Sequence, residues 1–256
     1  MTRACFVVAM WSFFFVTDSV NTAVAVDLKL FCPVAIRGAM SEIAPQFERS
    51  AGHKAIVEYA TVGVIVDRLL KGDAGDVAIT SAPQFEDLQK QGKIVAGSRV
   101  DVARVGVGAF VRAGAPKPDI SSADAFRRTL LAAKSVGYGD PAAGGVSGVH
   151  MAGLVERLGI ASELKPKTKL LPNSQAVLAA IAKGEVEIAI GLTSDTALVS
   201  GVDLVGALPA DIQNFTLYAV GILASSKQMD AGKAFISHLS APAAKAVLKA
   251  KGFEPR

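Results

Sequence analysis

Four short stretches of this chain place small residues, hydroxyls and glycines where a run of Val, Ile or Leu gives way to an amphipathic segment. They are Cys32-Pro33-Val34-Ala35, Ala60-Thr61-Val62-Gly63, Thr80-Ser81-Ala82-Pro83, and the longer run from Asp140 to Gly148. A stretch that ends a strand and opens a helix presents free backbone N–H groups and the positive end of the helix dipole. That suits a small anion without any cationic side chain. Glycine lets the backbone approach a ligand closely, and Thr61, Ser81 and Ser147 add hydroxyl donors. The candidate binding residues are therefore Val34, Ala35, Thr61, Val62, Ser81, Gly145 and Ser147. Arg37, just downstream of the first stretch, could grip a carboxylate with two parallel hydrogen bonds.

Other chemistries fit less well. The run Gly144-Gly145-Val146-Ser147-Gly148 is glycine-rich, but no Lys-Ser/Thr follows it as a phosphate loop requires. It does not open the first βαβ unit, which argues against a dinucleotide site. No serine sits in a G-x-S-x-G context. His53 and His238 have no carboxylate or histidine at ligand spacing, so neither metal nor cofactor is expected. Cys32 is expected to pack as a small buried hydrophobe. Lys165, Lys167 and Lys169 are expected to form a solvated edge. A modest net charge of +4 and 6% aromatic residues exclude a base-stacking nucleic-acid binder.

The elements that must hold these stretches are those of an α/β protein. Short apolar runs alternate with amphipathic segments, the pattern of parallel βαβ units. Strands are expected at Asp27–Cys32, Lys54–Tyr59, Asp76–Thr80, Val105–Arg112, Ser135–Tyr138, Thr168–Leu171, Val186–Gly191 and Leu217–Ala224. Ile36, Met40, Ile43 and Phe47 form an apolar stripe at helical spacing, with Pro45 predicting a kink or an early break. Further helices are expected at 64–70, 83–91, 123–134, 149–158, 175–182, 231–239 and 242–250. Gly52, Gly72, Gly92 and Gly184 stand where C-terminal caps belong. Pro83 and Pro242 sit at first-turn positions, where a missing N–H costs nothing.

The order of these elements predicts two lobes joined by two hinge-crossing strands, with a cleft between them; one continuous sheet is the alternative. Lobe 1 comprises 26–106 and 218–256, and lobe 2 comprises 107–217. Ahead of both, Met1 to Ala25 has the build of a secretory signal. Arg3 precedes an apolar run of about thirteen residues, and Ala23-Val24-Ala25 is an A-x-A cleavage site. Cleavage near Ala25 removes Cys5 and Trp11 and leaves Cys32 as a single thiol without a bridging partner. The expected mature protein is a periplasmic monomer, not embedded in a membrane.

Four blocks in order give a resemblance. They are the opening Leu28-Lys29-Leu30-Phe31 with Ile43 to Glu48, then Leu70-Lys71-Gly72-Asp73 through Ile79, then Arg112 to Ile120, and then Tyr138-Gly139-Asp140 through Gly148. Together they resemble type II periplasmic solute-binding proteins, in the branch that includes molybdate binders. The resemblance implies a Venus-flytrap fold that closes over a small anion and hands it to an ABC permease. Molybdate binders of this branch present a small hydroxyl residue in each of the first two loops. Here Cys32-Pro33-Val34-Ala35 has none, and the second loop offers only Thr61, which points to an organic carboxylate. Some proteins similar to this branch are aconitate isomerases. That likeness implies an alternative in which a base and an acid move a proton next to a carboxylate-bearing carbon. His150, Asp140 and Asp195 are the candidates, set against plainer readings of His150 as a packing residue and Asp140 as a cap.

Overall fold

The computed structural model describes residues 25–197 and 199–256, so the targeting segment lies outside the described residues apart from Ala25. The chain opens with β1 (Asp27–Pro33), α1 (Arg37–Ala51), β2 (Lys54–Ala60), α2 (Val62–Leu70), β3 (Val77–Ser81) and α3 (Ala82–Lys90). A long strand, β4 (Val100–Arg112), leads to α4 (Ala123–Ala132), β5 (Val136–Gly139), α5 (Val146–Arg157) and the single turn α6 (Ala161–Leu164). Then come β6 (Thr168–Leu171), α7 (Ser174–Ala182), β7 (Ile188–Leu192) and β8 (Val202–Ala207). The chain returns through β9 (Phe215–Ile222) and closes with α8 (Met229–Ser240), α9 (Pro242–Ala250) and the two-residue β10 (Glu254–Pro255).

Strand order is β2-β1-β3-β9-β4-β7-β5-β6, with β8 and β10 also on β4. Strands β1, β2 and β3 are parallel, as are β5, β6 and β7, so each half of the sheet is a parallel βαβ unit. The halves meet in β4. Its first part, Val100–Gly106, pairs with β9, and its second part, from Val107, pairs with β7 and β8. Strand β9 runs antiparallel to both β3 and β4, which returns the chain to the first unit.

Helices cover both faces. Ala39, Met40, Ile43, Ala44 and Phe47 of α1 are buried, and Phe47 meets Phe235 of α8 edge-on at 5.2 Å between ring centroids. On the opposite face Phe31 and Ala78 of the sheet pack with Ile65 and Leu69 of α2 and with Phe85 and Leu88 of α3. Helix α7 buries Val177, Leu178 and Ile181 against Phe110 and Ala189.

The glycine caps fall as expected, with positive φ at Gly52, Gly72, Gly92 and Gly184. Pro45 does not break α1, which runs unbroken to Ala51. The carbonyl that loses its partner is that of Ser41, which is exposed and can turn to water, while the apolar stripe holds the helix on the sheet. Strand β4 starts at Val100 rather than Val105, because β9 pairs along that extra length. Helix α4 stops at Ala132, since Ala133 is extended, and α5 begins at Val146 rather than Val149. The lysine run is only partly solvated: Lys167 Nζ donates to the Leu131 and Ala133 carbonyls at 2.5 and 2.8 Å, capping α4. No helix among the described residues is long and apolar enough to cross a membrane.

Candidate functional site

The carboxyl ends of β1 and β2 from one half and of β5, β6 and β7 from the other, which run in opposite senses, point at one place, where open α/β sheets carry their ligands. A small cavity of about 30 Å³ lies there. Pro33, Val34 and Ala35 reach it at the end of β1, in a 3-10 turn, and Thr61 and Val62 at the end of β2, where α2 opens. From the other half come Asp140, Gly145 and Ser147 around the start of α5, then Asn173 and Ser174 at the start of α7. Leu192 of β7 and Tyr218 of β9 complete the wall. Gly145 gives α5 no side-chain cap, and Pro33 gives none to the 3-10 turn.

The expected binding residues Val34, Ala35, Thr61, Val62, Gly145 and Ser147 thus converge on this cavity. The Thr61 hydroxyl accepts from the Val64 N–H at 3.4 Å and donates to the Ala143 carbonyl, so its proton is already committed. Asn173, Ser174 and Tyr218 were not singled out by sequence. Asn173 had a signal: it follows a strand and caps α7 through its Oδ1, 3.0 Å from the Ala176 N–H. Tyr218 had none, because nothing local marks which face of β9 meets the cavity. Its hydroxyl is buried and has no partner.

Arg37 does not line the cavity. Its Nη1 donates to Gln175 Oε1 of α7 at 3.0 Å, and its guanidinium lies 4.5 Å from the centre of the Tyr59 ring. Cys32 is fully buried, and burial pushes its thiol pKa up. Asp140 caps a short turn, its Oδ1 accepting from the Ala142 N–H at 2.9 Å. Asp195 is fully buried behind Leu192: one oxygen accepts the Leu192 N–H at 2.6 Å and the other has no partner. Burial raises its pKa to about 7 against the pull of the Leu192 N–H and the Ser174 side chain.

A second, larger cavity of about 540 Å³ adjoins the first and shares Val62 and Val146 with it. Ser81 and Gln84 line one side, His150 another, and Asn214 and Thr216 a third. Ser81 donates to Gln84 Oε1. His150 Nε2 lies 3.0 Å from the Ile212 carbonyl, and burial lowers its pKa. Among the described residues, no three His, Cys, Asp or Glu side chains converge as a metal site would require.

Two contacts close these cavities. The Gly63 N–H donates to the Gly144 carbonyl at 3.1 Å, beside the Thr61–Ala143 bond. The backbones approach so closely that a Cβ on Gly63 would stand 2.7 Å from Gly144 Cα.

Comparison with known proteins follows the same outline. The family described as bacterial extracellular solute-binding protein matches residues 28–254. The chain belongs to that family. This solute-binding protein is 31% identical to an aconitate isomerase from a Pseudomonas species, over 86% of this chain and 84% of that one. It is 27% identical to the molybdate-binding protein ModA of Azotobacter vinelandii, over 90% and 91% of the two chains. The solved periplasmic molybdate-binding protein of Azotobacter vinelandii superposes with a TM-score of 0.69 at 18% identity, covering 88% of this chain and 98% of that one. The solute-binding protein is thus of the type II, molybdate-binding-like kind, with the α/β fold expected from sequence.

Proposed function

We propose that this solute-binding protein captures a small organic carboxylate, seating the anionic head in the small cavity and closing over it. The observation that carries this reading is the convergence of four helical or 3-10 starts on one cavity, with the unpartnered Tyr218 hydroxyl in its wall. Molybdate fits less well. Pro33, Val34 and Ala35 offer no hydroxyl and the Thr61 proton is taken, and each missing bond to a charged ligand costs roughly 1.5–3 kcal/mol. The adjoining larger cavity leaves room for a carbon skeleton.

The mechanism is a population shift, since bonds from both halves to one ligand exist only when the cleft is closed. We place the lobes at 26–106 with 218–256 and at 107–217; the exchange of partners at Gly106 and Val107 of β4 supports that division. Cleavage near Ala25, a periplasmic location, a monomeric state and delivery to an ABC permease belong to the same reading. Thermal melting with molybdate, sulfate and a series of mono-, di- and tricarboxylates tests it, because a ligand of the native state raises the melting temperature. A rise with carboxylates and none with molybdate is expected; no rise with any carboxylate overturns the proposal.

A second reading is isomerisation of cis- and trans-aconitate, favoured by the 31% identity to a protein with that activity. Of its candidates, His150 is best placed, half-buried on the wall of the larger cavity. Asp140 is occupied as a cap, and Asp195 is fully buried and lines neither cavity. Incubating the protein with cis-aconitate and following the trans product decides between the two, absence of turnover removing the second.

A further inference from the structure

The larger cavity has a feature that binding of one anionic head leaves unused. Its wall carries hydroxyl, amide and imidazole groups and no Asp, Glu, Lys or Arg. Its polar groups stand on separate segments: Ser81 and Gln84 on β3 and α3, Asn214 and Thr216 at the entry to β9, and His150 on α5. Val62 and Val146 line both it and the small cavity. From this geometry we infer that the larger cavity is a second subsite, receiving the far carboxylate of a dicarboxylate whose first carboxylate sits at the helix starts, with His150 as the group that answers its charge. This rests on the carboxylate reading above.

The imidazole is oriented for the task. The Ile212 carbonyl can only accept, so Nε2 carries a proton and Nδ1 is the nitrogen left free. With no ligand, burial disfavours the charged ring and outweighs the Ile212 hydrogen bond that favours it, and Arg157 on the same helix adds to the effect of burial. The other charged groups nearby are Asp140 ahead of α5, Glu156 next to Arg157, Glu163 of α6 and Asp211 beside Ile212. Asp211 is exposed, as are Glu156 and Glu163. None of them lines the cavity. A carboxylate arriving there gains most if Nδ1 takes up a proton and donates it in a charge-assisted bond. Binding of a dicarboxylate is thereby coupled to uptake of one proton, whereas a monocarboxylate held at the helix starts is not.

Titration calorimetry of the full mature chain tests this with succinate, glutarate and trans-aconitate against butyrate and valerate. Each is measured between pH 6 and 8 in two buffers of different ionisation enthalpy. The expected result is that at least one of the di- or tricarboxylates binds at least tenfold more tightly than butyrate and valerate. It should take up a proton and lose up to tenfold in affinity per unit rise in pH. In His150→Gln the preference and the proton uptake should both vanish while butyrate binding persists. The proton count on the unmodified protein keeps the test independent of whether that variant folds. If butyrate and valerate bind as tightly as the di- and tricarboxylates, or the di- and tricarboxylates bind without proton uptake, the second subsite is refuted and the carboxylate reading survives. If none of the acids binds, both fall together.

Discussion

The two adjoining cavities are built on different principles. The small one is made mainly of backbone: the starts of α2, α5, α7 and a 3-10 turn aim peptide N–H groups at one point. The larger one is made of side chains on β3, α3, α5 and the entry to β9. Backbone donors arrive already fixed by the fold, so on the carboxylate reading the first cavity would recognise charge and little else. Side chains distinguish one ligand from another, so the same reading would place selectivity in the second. Each region also holds a titratable group whose charged form burial disfavours, Asp195 near the first and His150 on the wall of the second.

These two groups give the largest expected effect, because their signs are opposite. The pKa of Asp195 is raised on folding, so its contribution to stability is full below about pH 4 and is lost as the pH rises through about 7. Over that span the loss is roughly 4 kcal/mol at 1.36 kcal/mol per pKa unit. His150 has a lowered pKa, so its contribution is present above its unfolded value near 6.5 and is lost as the pH falls through the folded value. Urea unfolding of the parent and Asp195→Asn at several pH values isolates the first effect. The variant should lose most of the decline between pH 4.5 and 8, while His150→Gln should leave that decline in place. Equal slopes in parent and Asp195→Asn would mean that the acid is not held neutral.

The next effect concerns the contact that encloses both cavities. Gly63→Ala puts a methyl 2.7 Å from Gly144 Cα, which a backbone atom cannot avoid without the cleft staying wider. Overpacking of this kind costs roughly 1–3 kcal/mol, so ligand affinity should fall about ten- to a hundredfold. In the first turn of α2 the same change replaces Gly with a better helix former, worth roughly 0.5–1 kcal/mol. If the ligand-free protein rests with this contact open, its melting temperature should hold or rise while binding falls. A parallel loss of both would show that Gly63 serves the fold rather than closure.

How much of this was legible in the sequence follows from the same division. The strand-end loops at Thr61–Val62 and Gly145–Ser147 were readable because strand ends, glycines and caps leave local marks, although the helices they open begin two or three residues earlier than expected. So were the turns at Gly52, Gly72, Gly92 and Gly184, where a left-handed φ demands glycine. Strand β8 was not, since Val202–Ala207 is half-buried on the second part of β4 and shows no clean alternation. Pro45 misled because its local penalty is smaller than the tertiary packing of Met40, Ile43 and Phe47. Tyr218 and Asn214 were invisible for a different reason: they reach the cavities through β9, whose placement is decided by pairing far along the chain.

Tyr218 offers a finer cut through the small cavity. Its hydroxyl is buried without a partner, a state that costs roughly 1–3 kcal/mol. Tyr218→Phe should therefore stabilise the ligand-free protein while weakening a bound carboxylate by about 1.5 kcal/mol, roughly tenfold. Melting temperature and affinity moving in opposite directions would mark the hydroxyl as a ligand donor; affinity unchanged would remove it from the site.

The smallest expected effect separates holding a ligand from holding the cleft. Arg37 lies outside both cavities and joins α1 to Gln175 of α7, across the line where the two halves of the sheet face each other. The Tyr59 ring it also touches belongs to its own half, so its contact between the halves is the exposed Gln175 hydrogen bond, of a kind worth about 0.5–1.5 kcal/mol. If that contact acts on closure, Arg37→Ala weakens every ligand by the same factor, about three- to fivefold, whatever its charge. A guanidinium that gripped the ligand directly would act unevenly: carboxylates would lose far more than butyramide, an uncharged analogue of butyrate. Affinities of butyrate, succinate and butyramide for the variant, compared as ratios to the parent, therefore decide whether charge is neutralised by peptide dipoles alone or by this cation as well.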